Sequence, residues 1–83
     1  MYYVYVIRSV NKGILYIGQT EDINKRVKEH NEGLLGRFTK NKGPWELVYQ
    51  ESYMTRSEAM KREKYLITGA GRDFIKRNIQ REQ

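Results

Sequence analysis

Residues 15–30 read LYIGQTEDINKRVKEH, and the change of period inside this stretch decides the fold. Residues 14–19 (ILYIGQ) are apolar and β-branched, which predicts a strand. Gly18 near its end marks a bulge or a close backbone approach. From residue 22 the pattern becomes helical, with Asp22 as N-cap and Gly33 as stop, which predicts a helix over 22–33. Upstream, residues 2–8 (YYVYVIR) are apolar on both alternating faces, as in a central strand covered on both sides. SVNKG at 9–13 is a turn cluster, so the two strands form an antiparallel hairpin.

Downstream, Leu34 to Pro44 reads as irregular and carries Arg37, Lys40 and Lys42 with no acid. Residues 45–53 (WELVYQESY) alternate, with Trp45, Leu47 and Tyr49 on one face and Glu46, Val48 and Gln50 on the other, a third strand. Thr55 and Glu58 form a capping box that opens a helix running to about Thr68. Gly69 to Gly71 breaks it. Residues 72–80 form a short last helix with Phe74, Ile75 and Ile79 on one side. There is no repeat, linker or low-complexity tract. The order β-β-α-β-α-α predicts an α+β fold, a three-stranded antiparallel sheet flanked by helices, as a single domain over residues 1–83.

The 83 residues support one thin core and contain no cysteine, which excludes disulfides and thiolate metal sites. No signal peptide is visible, and no apolar run approaches the ~18 residues that span a membrane. A soluble, cytoplasmic protein without membrane association is expected. Sixteen Lys+Arg against ten Asp+Glu give a net charge of +6, which favours polyanionic partners. A charge of that size is also ordinary for a soluble domain, so its placement must decide.

Two helices carry polar residues where apolar ones belong. With Ile23 at zero and about 100° per residue, His30 falls at about 340°, inside the Ile23–Val27–Leu34 stripe, and Arg26 on its border. On the later helix Glu63 occupies the centre of the apolar face, beside Leu66, where leucine would be normal. A buried unpaired carboxylate is costly, so it neutralises, pairs or binds a cation. An ion pair with Arg26 or Arg62 would satisfy Glu63. Taken singly, His30 and such tyrosines are more often core residues, and Arg37, Lys40 and Lys42 more often a solvated loop. Met60 and Trp45 read as core.

Together, however, tyrosine hydroxyls, an arginine, a histidine and one carboxylate suit phosphodiester hydrolysis. Mg²⁺ commonly uses one or two protein carboxylates plus water and phosphate. Arginine holds phosphoryl oxygens in a planar fork. A tyrosine can take a proton from water where nearby cations lower its pKa.

The motifs YVY (Tyr3–Tyr5) and YIG (Tyr16–Gly18), followed by DINKRVKEHN and SEAMKREKYL, resemble the GIY-YIG nuclease superfamily over essentially the whole chain. The chain resembles its small free-standing single-domain bacterial type, and is similar to the N-terminal nuclease domain of the excision-repair nuclease. The resemblance implies that Tyr5 and Tyr16 flank the scissile phosphate, that Gly18 lets the backbone pass close, and that Arg26 stabilises the transition state. It implies that His30 assists proton transfer and that Glu63 coordinates Mg²⁺ or Mn²⁺. The implied activity is metal-dependent DNA endonuclease chemistry in DNA repair or processing, on branched, damaged or single-stranded DNA. A protein partner could supply the specificity. Arg37, Lys40, Lys42, Arg72, Lys76 and Arg77 would contact backbone phosphates. The chain departs from the pattern at Tyr3, where the motif has glycine, and at Gln19, where lysine often follows YIG. The late asparagine of several family nucleases has no clear counterpart, Asn78 lying on the short last helix. A catalytically weak nucleic-acid-binding module of the same fold and a protein-interaction domain are the rival readings.

Overall fold

The computed structural model describes residues 1–81 and, within them, every side chain except those of Arg37, Gln80 and Arg81. Strands β1 (Tyr2–Ser9) and β2 (Leu15–Thr20) form the expected hairpin. Helix α1 (Ile23–Asn31) follows, then a one-turn helix α2 (Gly36–Thr39), strand β3 (Trp45–Tyr53), and helices α3 (Arg56–Ile67) and α4 (Gly69–Arg81). The sheet order is β2-β1-β3, antiparallel throughout. The central strand is covered on both faces, and Val4, Tyr5, Val6 and Ile7 are all buried.

One face packs Val4, Val6 and Ile17 against Ala59 and Leu66 of α3 and Ile75 and Ile79 of α4. The other packs Tyr5 and Ile7 against Ile23 of α1 and Trp45, with Tyr16 and Val27 at its margin. Each aliphatic side chain so buried contributes about 1.5–3 kcal/mol. Asp22 caps α1 by accepting from Lys25 N, and Gly33 (φ +73°) follows its end. The Thr55–Glu58 capping box is present in both directions.

Four expectations are corrected. Leu34–Pro44 contains α2, a turn too short to show a period in the sequence. Gly69–Gly71 opens α4 instead of separating two helices. The break is Thr68 alone, whose hydroxyl donates to Tyr65 O and accepts from Gly71 N. A Cβ on Gly71 would overlap the backbone of Tyr65 and Leu66, so glycine permits the close crossing of α3 and α4. In β3 the register slips between Val6 and Ile7, which pair with Tyr49 and Leu47 and leave Val48 as an extra residue. Trp45 therefore lies on the α1 face, while Tyr49 crosses to the α3–α4 face and meets Phe74 edge-on. Met60 is 39% exposed and lies outside the core. Among the described residues no helix is long and apolar enough to cross a membrane.

Candidate active site

The hairpin register sets Tyr5 opposite Gly18 and Tyr16 opposite Ile7, so both tyrosines lie on the α1 face. The Tyr5 ring crosses Gly18 so closely that a Cβ there would stand 2.5 Å from Tyr5 Oη. Gly18 thus lets the phenol reach across β2 toward α1. There Tyr5 Oη meets His30 Nε2 at 2.8 Å. His30 is 2% exposed, as its place in the apolar stripe requires.

The other ring nitrogen fixes the tautomer. His30 Nδ1 lies 2.9 Å from Thr39 Oγ1, and Thr39 Oγ1 donates to Leu35 O at 2.8 Å. A carbonyl only accepts, so the threonine hydroxyl has used its proton and must accept from Nδ1–H. Burial, and then the Arg26 charge, push the histidine below its ordinary pKa, which favours the neutral ring. Nε2 then holds a lone pair and Tyr5 donates to it. The chain of donors runs Tyr5, His30, Thr39, Leu35.

The phenol itself is not activated as a free base. Burial pushes Tyr5 well above the ordinary phenol value, Tyr16 adds to this, and Arg26 opposes it without cancelling it. Arg26 alone therefore does not bring the phenol below its ordinary value. Tyr16 packs against the His30 ring edge at 5.0 Å between centroids and lies 6.5 Å from Tyr5. On its outer side it meets Phe38 at 5.7 Å.

Arg26 leaves its Nε donor available among the described residues. Its Nε is buried without a hydrogen bond, and Glu29 Oε1 stands 3.5 Å away, an ionic contact only. Arg26 and Arg56 line one cleft of ≈ 350 Å³ with Tyr2, Gln19, Thr20 and Glu21. Glu63 is half-buried, on the helix that buries Ala59 and Leu66. It has no ion-pair partner among the described residues, and its charge is felt at Tyr5. Burial pushes its carboxyl up, opposed by Lys64.

Arg62, one residue earlier, is engaged elsewhere. It grips Glu51 with two hydrogen bonds of 2.8 and 3.0 Å and lies over the rings of Tyr65 and Phe74. Glu51 also accepts from the hydroxyls of Tyr49 and Tyr53. The alternative reading, an ion pair of Glu63 with Arg26 or Arg62, does not hold, since these arginines face Glu29 and Glu51.

The basic residues divide. Lys40 is exposed on the α2–β3 connection, and Lys42 sets its ammonium 4.2 Å over the Phe38 ring, on the tyrosine–histidine side. The Arg37 side chain lies outside the described set. Arg72, Lys76 and Arg77 belong to α4, which packs across α3 and β3 on the opposite sheet face, and Arg72 Nε donates to Ile67 O. Asn78 donates back to Phe74 O of its own helix.

Sequence reading does not single out Thr39, Phe38 or Arg56. Thr39 and Phe38 belong to the turn whose helical form is invisible locally. Arg56 is legible only as the first residue after a capping threonine.

A family model described as the GIY-YIG catalytic domain matches residues 1–78. A UPF0213 protein of Staphylococcus epidermidis is 50% identical over 62 residues, covering 75% of this chain and 74% of that protein. A UPF0213 protein of Staphylococcus aureus is 47% identical over 62 residues, with the same coverage of each. The solution NMR structure of a UPF0213 protein from Bacillus halodurans aligns with a TM-score of 0.53 at 28% identity, covering 90% of this chain and 82% of that one.

Proposed function

The chain belongs to the GIY-YIG nuclease family, and from that premise we propose that it is a metal-dependent endonuclease that hydrolyses phosphodiester bonds of DNA in repair or processing. The observation that carries this reading is the directed chain from Tyr5 through His30 to Thr39. It supplies an acceptor for a proton, His30 Nε2, directly behind the Tyr5 hydroxyl.

In the proposed mechanism Tyr5 takes a proton from the attacking water while passing its own to His30 Nε2. Its raised pKa makes a standing phenolate unavailable, so the two transfers are coupled. Thr39 holds Nδ1–H and keeps Nε2 turned to the phenol. Tyr16 walls the imidazole and orients the water. Arg26, whose Nε has no hydrogen-bond partner among the described residues, binds the phosphoryl oxygens as charge develops on them. Arg56 in the same cleft, with Lys40 and Lys42, holds flanking phosphates.

A half-buried carboxylate with no ion-pair partner among the described residues fits a divalent cation, and Glu63 is such a group. Among the described residues no three histidine or carboxylate side chains gather into a metal cage. Glu63 would therefore hold Mg²⁺ or Mn²⁺ together with water and substrate oxygens. The ion would supply charge neutralisation at the phosphate and the leaving oxygen.

The test compares binding with cutting in Glu63→Gln. A hydrolase keeps DNA affinity and loses cleavage in the variant. A binding module shows salt-sensitive affinity and no metal-dependent cleavage in either form.

A further inference from the structure

We propose that the exposed Phe38 ring is a stacking platform for an unpaired base of the DNA strand next to the scissile phosphate. The substrate would then be single-stranded or locally unpaired at the cut. This rests on the nuclease reading above and deepens it.

Phe38 is 49% exposed. It is not a loose surface residue. The next residue, Thr39, is buried, bonded to His30 through its hydroxyl and to the Trp45 indole N–H through its carbonyl at 3.0 Å. Asn31 in turn brackets the Trp45 backbone, accepting from its N–H at 2.6 Å and donating to its carbonyl at 3.1 Å. Ser9 Oγ donates to Lys42 O at 2.6 Å and pins the far end of the turn. The buried bonds hold residue 39 inward and so present residue 38 outward at a fixed place.

That place adjoins the reacting groups. Phe38 packs on Tyr16, and Tyr16 packs on the His30 ring that holds Tyr5. The aromatic series leads from solvent to the proton acceptor. A base bound on Phe38 would bring its own phosphate over Tyr16.

The charge around the ring suits a nucleotide and not an apolar protein surface. The segment 34–44 contains no acid. Lys42 Nζ already covers the ring, and Lys40 is exposed nearby. An exposed cation–π contact is weaker than base stacking on an aromatic side chain, so a base can displace the ammonium. The freed ammonium is then within the same nucleotide's reach and can pair with its phosphate. In a duplex the base faces are stacked on their neighbours, so only an unpaired base gains from the platform.

The test measures binding in chelator, so that it does not depend on cleavage. A short single-stranded oligonucleotide carrying 2-aminopurine and the matching blunt duplex are titrated with wild type, Phe38→Ala and Phe38→Trp. Wild type is expected to prefer the single strand and to quench the 2-aminopurine. Phe38→Ala is expected to lose about tenfold in single-strand affinity and the quench, with duplex affinity unchanged. Phe38→Trp should keep both. Equal effects on the two DNAs, or no effect on either, overturn the platform while leaving the nuclease reading standing. Absence of any salt-sensitive DNA binding by wild type overturns both.

Discussion

Tyr5 Oη and His30 Nε2 stand 2.8 Å apart, and the proton between them belongs to the tyrosine. That assignment follows from Thr39, whose hydroxyl donates to Leu35 O and can only accept from His30 Nδ1, together with the burial that favours the neutral ring. Tyr5→Phe removes the donor and leaves Nε2 buried and unsatisfied. A loss of about 1–3 kcal/mol in unfolding free energy is expected from denaturant titration.

His30 also gives the fold a pH dependence. Its folded pKa lies below the ordinary value because burial, and then Arg26, disfavour the imidazolium. The unfolded chain therefore binds the extra proton first as pH falls. Stability is full above about 6.5 and declines as pH drops from there toward the folded value. His30 is the only histidine in the chain, so its ring protons report the titration without ambiguity in an NMR pH series. A midpoint below the ordinary value is expected, together with lower melting temperatures at pH 5.5 than at pH 7.5.

Gly18 is required by the Tyr5 ring rather than by its own backbone. In Gly18→Ala the added methyl would stand 2.5 Å from Tyr5 Oη and 2.7 Å from Cζ. The ring must shift off His30, at a cost of about 1–3 kcal/mol. The His30 ring signals should move, and any cleavage should fall with them. Gly69→Ala is the contrast, since a Cβ there meets nothing within 4 Å and Gly69 lies in α4. That change should be neutral or stabilising by up to about 1 kcal/mol.

The Glu51–Arg62 pair joins β3 to α3 and is expected to be structural. Burial raises the Glu51 carboxyl, but hydrogen bonds from Arg62, Tyr49 and Tyr53 override it and hold it below the usual range. Its contribution is present above the ordinary carboxylate pKa and is lost as pH falls below that value. Tyr49 and Tyr53 are each pushed up to about 12, by burial first and then by Glu51. Their contribution is present up to about pH 10 and lost as pH rises toward 12. Alkaline difference absorbance should show late-titrating tyrosines in wild type and earlier ones in Glu51→Gln. Both side chains keep some solvent exposure, so Arg62→Leu should cost about 1–3 kcal/mol, less than a fully buried pair.

Glu63 should behave in the opposite way. Its carboxyl is raised by burial and has no ion-pair partner among the described residues. Glu63→Gln should leave the melting temperature unchanged or raise it. Saturating Mg²⁺ should raise the melting temperature of wild type and not of the variant.

Local signals made much of this legible. Asp22, Thr55 and Glu58 are caps that act within three residues, so the starts of α1 and α3 could be read directly. The helical period placed His30 inward because one face of α1 must meet the sheet. What stayed hidden depends on partners distant in sequence. The slip at Val48 is set by pairing with β1, and it sends Tyr49 to the face opposite Trp45. The α2 turn is held by Thr39 bonding to His30 and Trp45, not by any period of its own. Gly71 reads as a helix breaker until α3 is seen lying against it. Arg62 and Glu63 are adjacent, and only the packed helix shows that the first pairs with Glu51 while the second has no ion-pair partner among the described residues.

The most direct test is cleavage of labelled single-stranded, duplex, flapped and branched DNA with Mg²⁺, Mn²⁺ or chelator, by wild type and Tyr5→Phe. Metal-dependent cutting by wild type is expected, falling about 100-fold or more in Tyr5→Phe while DNA affinity is retained. Cutting by a correctly folded Tyr5→Phe at the wild-type rate would contradict the proposed Tyr5–His30 proton path. No cutting of any substrate by wild type would contradict the assignment of hydrolysis to this site.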